Sequence, residues 1–333
     1  MPRPSVPPLA LKAHLDRIAD TYDSRYLATD PLWFVHQYER NEDREIVGLI
    51  AAGLAFGNVR SIQNSIRFAL SLIAELAGED HPAALVDRFD LRRDGPKLHS
   101  FYHRYVRGDD LARLLAMIRV AREHHGSLGG AFRRAFEAGD GTIQEGLGRF
   151  VDALFEEASR QAGPRERARR GLRFLLAHPA GGSACKRWNL YLRWMIRTDT
   201  VDLGIWNGVP TSALVLPLDT HTARISFNIG LTEKTNASWS MAEEITERLR
   251  ELDPDDPVRY DFALSRLGIL DLCPRRRDPR RCAECAIEPV CVLRARVHAV
   301  RRRAVAARGE SRPEETNRGF AGRLTGSRRS GRR

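Results

Sequence analysis

The run CPRRRDPRRCAECAIEPVC, Cys273 to Cys291, constrains this chain more than any other stretch. It packs four of the five cysteines into nineteen residues with the spacing C-x8-C-x2-C-x5-C, and five arginines stand between the first two. No disulfide framework requires such spacing, and a cytosolic protein seldom keeps one. Four clustered thiolates suit tetrahedral zinc or an iron–sulfur cluster, and the spacing alone leaves both open. In either case the arginine-rich loop is tied at both ends.

The rest of the chain reads as helix. Apolar residues recur at helical spacing over 9–22, 44–56, 61–77, 110–122 and 142–161, and no alternating run of useful length suggests a strand. Asp219 is placed to cap a helix ending near Ile229, with Gly230 as its stop. Ser240 and Glu243 read as a capping box, and Asp256-Pro257 as the start of a helix reaching almost to Cys273. The stretches 78–100 and 162–183, rich in Gly, Pro and charge, read as connections. The fold class expected is all-α.

The net charge of +11 is unevenly distributed. Residues 301–333 hold eleven arginines against three glutamates, which leaves +8 in this tail and +3 in the first 300 residues. The tail, 299–333, reads as disordered and adds salt-sensitive attraction to phosphate. The longest apolar run, IVGLIAAGLAF from Ile46, is about half the length of a membrane span. The N-terminal residues show no apolar signal core. These features suggest a cytoplasmic, nucleoid-associated monomer without a membrane partner.

The stretch CAECAIEPVC, following LGILDLC, resembles the cluster loop of the endonuclease III branch of the helix-hairpin-helix DNA glycosylases. That family has C-x6-C-x2-C-x5-C with Ile-Glu before the last cysteine, as Ile287-Glu288 stands here; this chain has two more residues in the first gap. The resemblance implies a [4Fe–4S] cluster on Cys273, Cys282, Cys285 and Cys291, with zinc the alternative. It also implies that Arg275, Arg276, Arg277, Arg280 and Arg281 face the DNA backbone, where tethered guanidiniums can pair with phosphates.

The segment HPAGGSACKRWNLYLRWMIR carries the second point of resemblance. Gly181-Gly182 breaks the chain and Ser183 can cap the following helix. That helix puts Trp188, Tyr191, Leu192, Met195 and Ile196 on one face, with Lys186, Arg193 and Arg197 on the other. An ammonium in a first helical turn, beside two arginines, is disfavoured, which suits an amine nucleophile. Lys186 stands where the bifunctional members carry their catalytic lysine. Gly181 and Gly182 match the DNA-contacting hairpin, although Ala184 replaces a second glycine common there.

The third point is LPLDTHTARI, in which Asp219-Thr220-His221 resembles the family's Asp-Thr-His signature. There the aspartate caps a helix and faces the scissile bond, where it can take a proton and stabilise an oxocarbenium-like sugar. The 33-residue separation from Lys186 is about twice that of endonuclease III-like members and similar to that of archaeal 8-oxoguanine glycosylases. Asn58, Gln63 and Trp206 are candidates for lesion contact. Trp188 and Cys185 read as core.

The implied architecture has two helical lobes, one formed by 1–44 with 205–298 and the other by 45–204. The implied activity is that of a base-excision DNA glycosylase with AP lyase activity on duplex DNA holding a damaged base or abasic site. The competing readings are a non-catalytic DNA-structure binder of the same fold and a zinc-stabilised helical protein with an unrelated partner.

Overall fold

A computed structural model describes residues 7–78, 81–162, 169–270, 272–273 and 278–293. The protein is mostly helical, and the described strands are limited to a two-residue pair. The helices are α1 (Pro8–Thr21), α2 (Leu32–Val35), α3 (Asn41–Gly53), α4 (Val59–Ala77) and α5 (Pro82–Arg88). Strands β1 (Tyr102–His103) and β2 (Val106–Arg107) then form an antiparallel hairpin. There follow α6 (Gly108–His125), α7 (Leu128–Ala138), α8 (Ile143–Ala162), α9 (Arg170–Leu175) and α10 (Lys186–Ile196). The last are α11 (Thr220–Asn228), α12 (Trp239–Arg250), α13 (Asp261–Ile269) and α14 (Pro279–Ala283). The described residues up to Val292 pack as one compact unit. The tail expected over 299–333 lies outside the described residues.

Local chemistry sets most of these elements. In α4, Ile62, Ile66, Ala69, Ile73 and Ala77 line up at three- and four-residue spacing and are the buried positions. Asn58 caps its start by accepting from the Ser61 N–H at 2.9 Å, and Gly78 ends it in the left-handed region. Each fully buried isoleucine contributes about 1.5–3 kcal/mol through burial alone.

Several expected boundaries move. Helix α12 is capped by Ser238, which accepts from Met241 N–H, rather than by Ser240. Residues 257–260 form turns, so α13 begins at Asp261 and not at Pro257. Ser183 accepts from the Cys185 N–H, and α10 starts only at Lys186. In each case the capping side chain serves a turn or a neighbouring start that apolar spacing does not mark.

Helix α10 lies at the centre. Every residue from Trp188 to Ile196 is buried. On one side it meets α3, where Gly48 lets Met195 and Tyr191 approach and the Tyr191 hydroxyl donates to Glu45 O at 3.0 Å. On the other side Arg193 and Arg197 are buried among Asp199, Asp202, Asp256 and Asp261. The face opposite the apolar stripe, which carries these two arginines, is therefore buried as well. Charges of opposite sign converge on the helix, and pairing lets it be covered all round. Helix α1 packs against α13, and the Tyr260 hydroxyl, next to α13, donates to Asp16 at 2.7 Å.

Candidate active site

The chain enters α10 through a tight turn over Pro179–Gly181, after which Gly182 adopts φ 73° and Cys185 φ 45°. Lys186 is thereby the first helical residue. The N–H groups of Gly181 and Gly182 donate to the carbonyls of His178 and Pro179, so both amides are engaged inside the turn. Cys185 is buried, its sulfur 3.5 Å from Ala177 O, and burial pushes its thiol up to about 11. A thiol so placed is a poor nucleophile.

Asp219 reaches the same place from the start of α11. Its Oδ1 accepts from the N–H groups of His221 and Thr222, each at 2.8 Å, and its Oδ2 lies 3.4 Å from Lys186 Nζ. Their side chains are 34% and 18% exposed, so the pair can be reached from outside. Burial pushes the Asp219 carboxyl up. The Lys186 ammonium, the two backbone donors and His221 outweigh that and hold it below its ordinary value.

The pair lies in a cleft of about 610 Å³ lined from four directions. The turn at Phe56–Asn58 forms one rim, α10 contributes Lys186, Leu190 and Arg193, α11 begins with Thr220–Thr222, and α13 supplies Asp261, Phe262, Ser265 and Arg266.

Two buried ion pairs that sequence reasoning missed form the floor of this cleft. Arg193 bonds Asp261 and, at 3.1 Å, Asp202; Arg266 bonds Asp30. Burial pushes the Asp261 carboxyl up to about 7, and Asp219 adds to the rise, whereas Arg193 and Lys186 oppose it. A signal existed in DFALSRLGIL, where two opposite charges interrupt an otherwise apolar helix; this is the mark of buried pairing rather than of a solvated face.

The candidates for lesion contact separate. Asn58 is exposed on the cleft rim while capping α4. The Gln63 amide donates to Ala28 O at 2.9 Å, tying α4 to the 24–29 turn, and does not line the cleft. Trp206 is also corrected. It is buried, stacks on Phe132, meets Tyr191 edge-on and donates its ring N–H to Glu45. Trp188 and Trp194 are core residues.

In the cysteine run, Cys273 is buried and Cys282, Cys285 and Cys291 are half-buried. The Cys285 thiol is pushed up first by burial, and the charges of Cys273, Cys282 and Cys291 add to the rise. The buried Asn228 amide donates to the Cys273 sulfur at 3.6 Å. Among the described residues, no three Cys, His, Asp or Glu side chains are gathered as a metal ion would require. Arg280 and Arg281 are exposed on α14, their N–H groups donating to Asp278. Arg275, Arg276 and Arg277 lie outside the described residues.

A family described as a protein of unknown function (DUF2400) matches residues 30–270, well over half of the chain. The chain belongs to this family. No curated protein and no solved structure matches it. The matched region contains Lys186, Asp219 and all four residues of the buried ion pairs Arg193–Asp261 and Arg266–Asp30. It ends just before the first cysteine of the run. Among the described residues, no helix of this DUF2400 member is long and apolar enough to cross a membrane.

Proposed function

We propose that the protein is a base-excision DNA glycosylase with AP lyase activity, of the helix-hairpin-helix type. The observation that carries this reading is the Lys186–Asp219 pair: an amine and a carboxylate 3.4 Å apart, both accessible, in one cleft.

The chemistry requires little more than this pair. Lys186 Nζ, as the free amine, attacks C1′ of an extruded nucleotide. The C1′–N glycosidic bond breaks and the base departs with the bonding electrons and a proton. Asp219 Oδ2 is within reach of the proton that Nζ must lose, and its negative charge stabilises the cationic sugar. Ring opening gives the Schiff base. Loss of a C2′ proton then breaks the C3′–O bond and releases the 3′ phosphate as the leaving group. Extrusion of the nucleotide costs a few kcal/mol, which backbone contacts repay.

Cys273, Cys282, Cys285 and Cys291 would hold a [4Fe–4S] cluster. When bound, such a cluster supplies a charge-compensated tie between the end of α13 and the residues after α14. The chain's own part is to present Arg280 and Arg281, exposed on α14, to DNA phosphates.

The test is borohydride trapping on an abasic-site duplex. A covalent adduct is expected with the native chain and none with Lys186→Ala; no adduct from the native chain under any condition sinks the lyase assignment. Anaerobically purified protein should be brown and carry iron with acid-labile sulfide, and a colourless, zinc-loaded protein would rule the cluster out.

A further inference from the structure

We propose that the β1–β2 hairpin, with Phe56, Phe174 and Arg187, is a binding platform for an unpaired DNA strand leading into the Lys186–Asp219 cleft. The direction of the strand rests on the DNA reading of that cleft; the platform itself rests on a separate set of residues.

At the hairpin tip Tyr102 and Tyr105 are 59% and 43% exposed, and Arg104 and Arg107 are exposed beside them. Water does not favour leaving this much ring surface bare, and the rings are not scattered. Tyr105 meets Phe174 at 5.4 Å between centroids, and Phe174 meets Phe56 at 4.6 Å. Guanidiniums alternate with them. Arg170 stands 4.7 Å from the Tyr105 ring, Arg104 5.9 Å from both Tyr105 and Phe56, and Arg187 3.8 Å from Phe174. Among the described residues, none of Arg104, Arg170 and Arg187 is ion-paired to a carboxylate. Arg187 is half-buried, its Nη2 donating to Phe174 O and its Nη1 buried without a partner, so it holds Phe174 in place beneath the exposed rings.

The backbone is arranged to hold this cluster at the cleft. Arg104 adopts φ 54°, a strained region for a residue with a side chain. Its guanidinium lies against Gly57, where a Cβ would come within 3.2 Å of it; Gly57 itself has φ 112°. Gly57 and Phe56 line the cleft. Phe56 and Lys186 also line a smaller adjoining pocket of about 260 Å³ that contains Phe174 and Arg187. Rings, unpaired cations and the reactive amine thus form one continuous surface.

The ligand that matches is a polyanion offering bare π-faces. Bases in a duplex are already stacked on one another, whereas bases of an unpaired strand can stack on the exposed rings of Tyr102 and Tyr105 while their phosphates meet the exposed Arg104, Arg107 and Arg170. An acidic peptide would satisfy the charges and leave the rings without partners.

The test uses the full chain and an unmodified oligothymidylate, so that no bond cleavage is involved. Fluorescence anisotropy should show tighter binding to the single strand than to a duplex of equal length, with polyglutamate failing to compete. Tyr105→Ala and Arg104→Gly should each weaken single-strand binding about tenfold with little effect on duplex binding. Glycine adopts φ 54° freely, so Arg104→Gly removes the cation while easing the turn. A strand carrying 5-iodouracil should photo-cross-link to the hairpin tip. Unchanged affinity in both variants, equal loss on duplex, displacement by polyglutamate or cross-links confined to other segments would overturn the proposal. Failed borohydride trapping, with these results intact, would remove the glycosylase reading and leave the platform standing.

Discussion

Arg193 and Asp261 form a buried ion pair in the floor of the cleft, two helical turns beyond Lys186 along α10. Both side chains are almost fully enclosed, and Asp261 retains one oxygen without a hydrogen-bond partner. The pair therefore links the fold's central helix to the ionisation of the site.

The first consequence concerns pH. Burial pushes the folded Asp261 carboxyl up to about 7 from its ordinary 3.8, so on acidification it takes up a proton, and gives up its charge pairing with Arg193, well before an exposed aspartate would. Between these values the unfolded chain binds fewer protons than the folded one, so this group's contribution to stability falls as pH rises. Asp219, held below its ordinary value, acts in the opposite sense and contributes only above the acid range. The unfolding free energy of the native chain, minus that of Asp261→Asn, should fall by a few kcal/mol from pH 4 to pH 7. Urea titrations at several pH values measure this, and a flat difference would contradict it.

Removing the other partner tests the pairing itself. Arg193→Met leaves Asp202 and Asp261 buried with less compensation and should cost about 3–5 kcal/mol, read from the urea midpoint at neutral pH. A loss below about 1 kcal/mol would mean that the aspartates find other partners.

Asp219 has two duties that substitutions can separate. Asparagine caps a helix nearly as well as aspartate, whereas alanine does not. Asp219→Ala should be about 1 kcal/mol less stable than Asp219→Asn. Both should reduce covalent trapping by about 10²- to 10⁴-fold. If Asp219→Asn traps at the native rate, the carboxylate is a cap and nothing more.

The assignment of Trp206 to the core makes the converse prediction. Glu45 accepts from the N–H groups of Leu128 and Gly129 as well as from Trp206, so it joins α3 to the start of α7. Trp206→Phe deletes one donor to a buried carboxylate and should cost about 1–3 kcal/mol in chemical denaturation. Oligonucleotide binding, measured where the variant is folded, should not change. A selective loss of binding would return Trp206 to the site.

Much of the helical framework was legible because period and caps are local. The stripe of α4, its Asn58 cap and the Asp219 start of α11 each depend on residues within one or two turns of one another. The starts of α12 and α13 were misplaced because a serine or a proline can serve a turn as readily as a helix. The environment of α10 is not legible in the sequence for a deeper reason. Two arginines four residues apart look like a wet face until the aspartates from 199–202, Asp256 and Asp261 are brought to them.

By itself, the sequence determined the mostly helical class, the amine and carboxylate at the starts of two helices, and the clustering of four thiols within nineteen residues. Those properties follow from periodicity, capping and spacing, which operate over a few residues. Only the tertiary structure decided that Lys186 and Asp219 meet at 3.4 Å and that Trp206 is core. It also decided that Phe56, Tyr105 and Arg187 share one surface. Such meetings depend on which distant segments pack together, and packing is set by the burial and charge pairing of the whole chain.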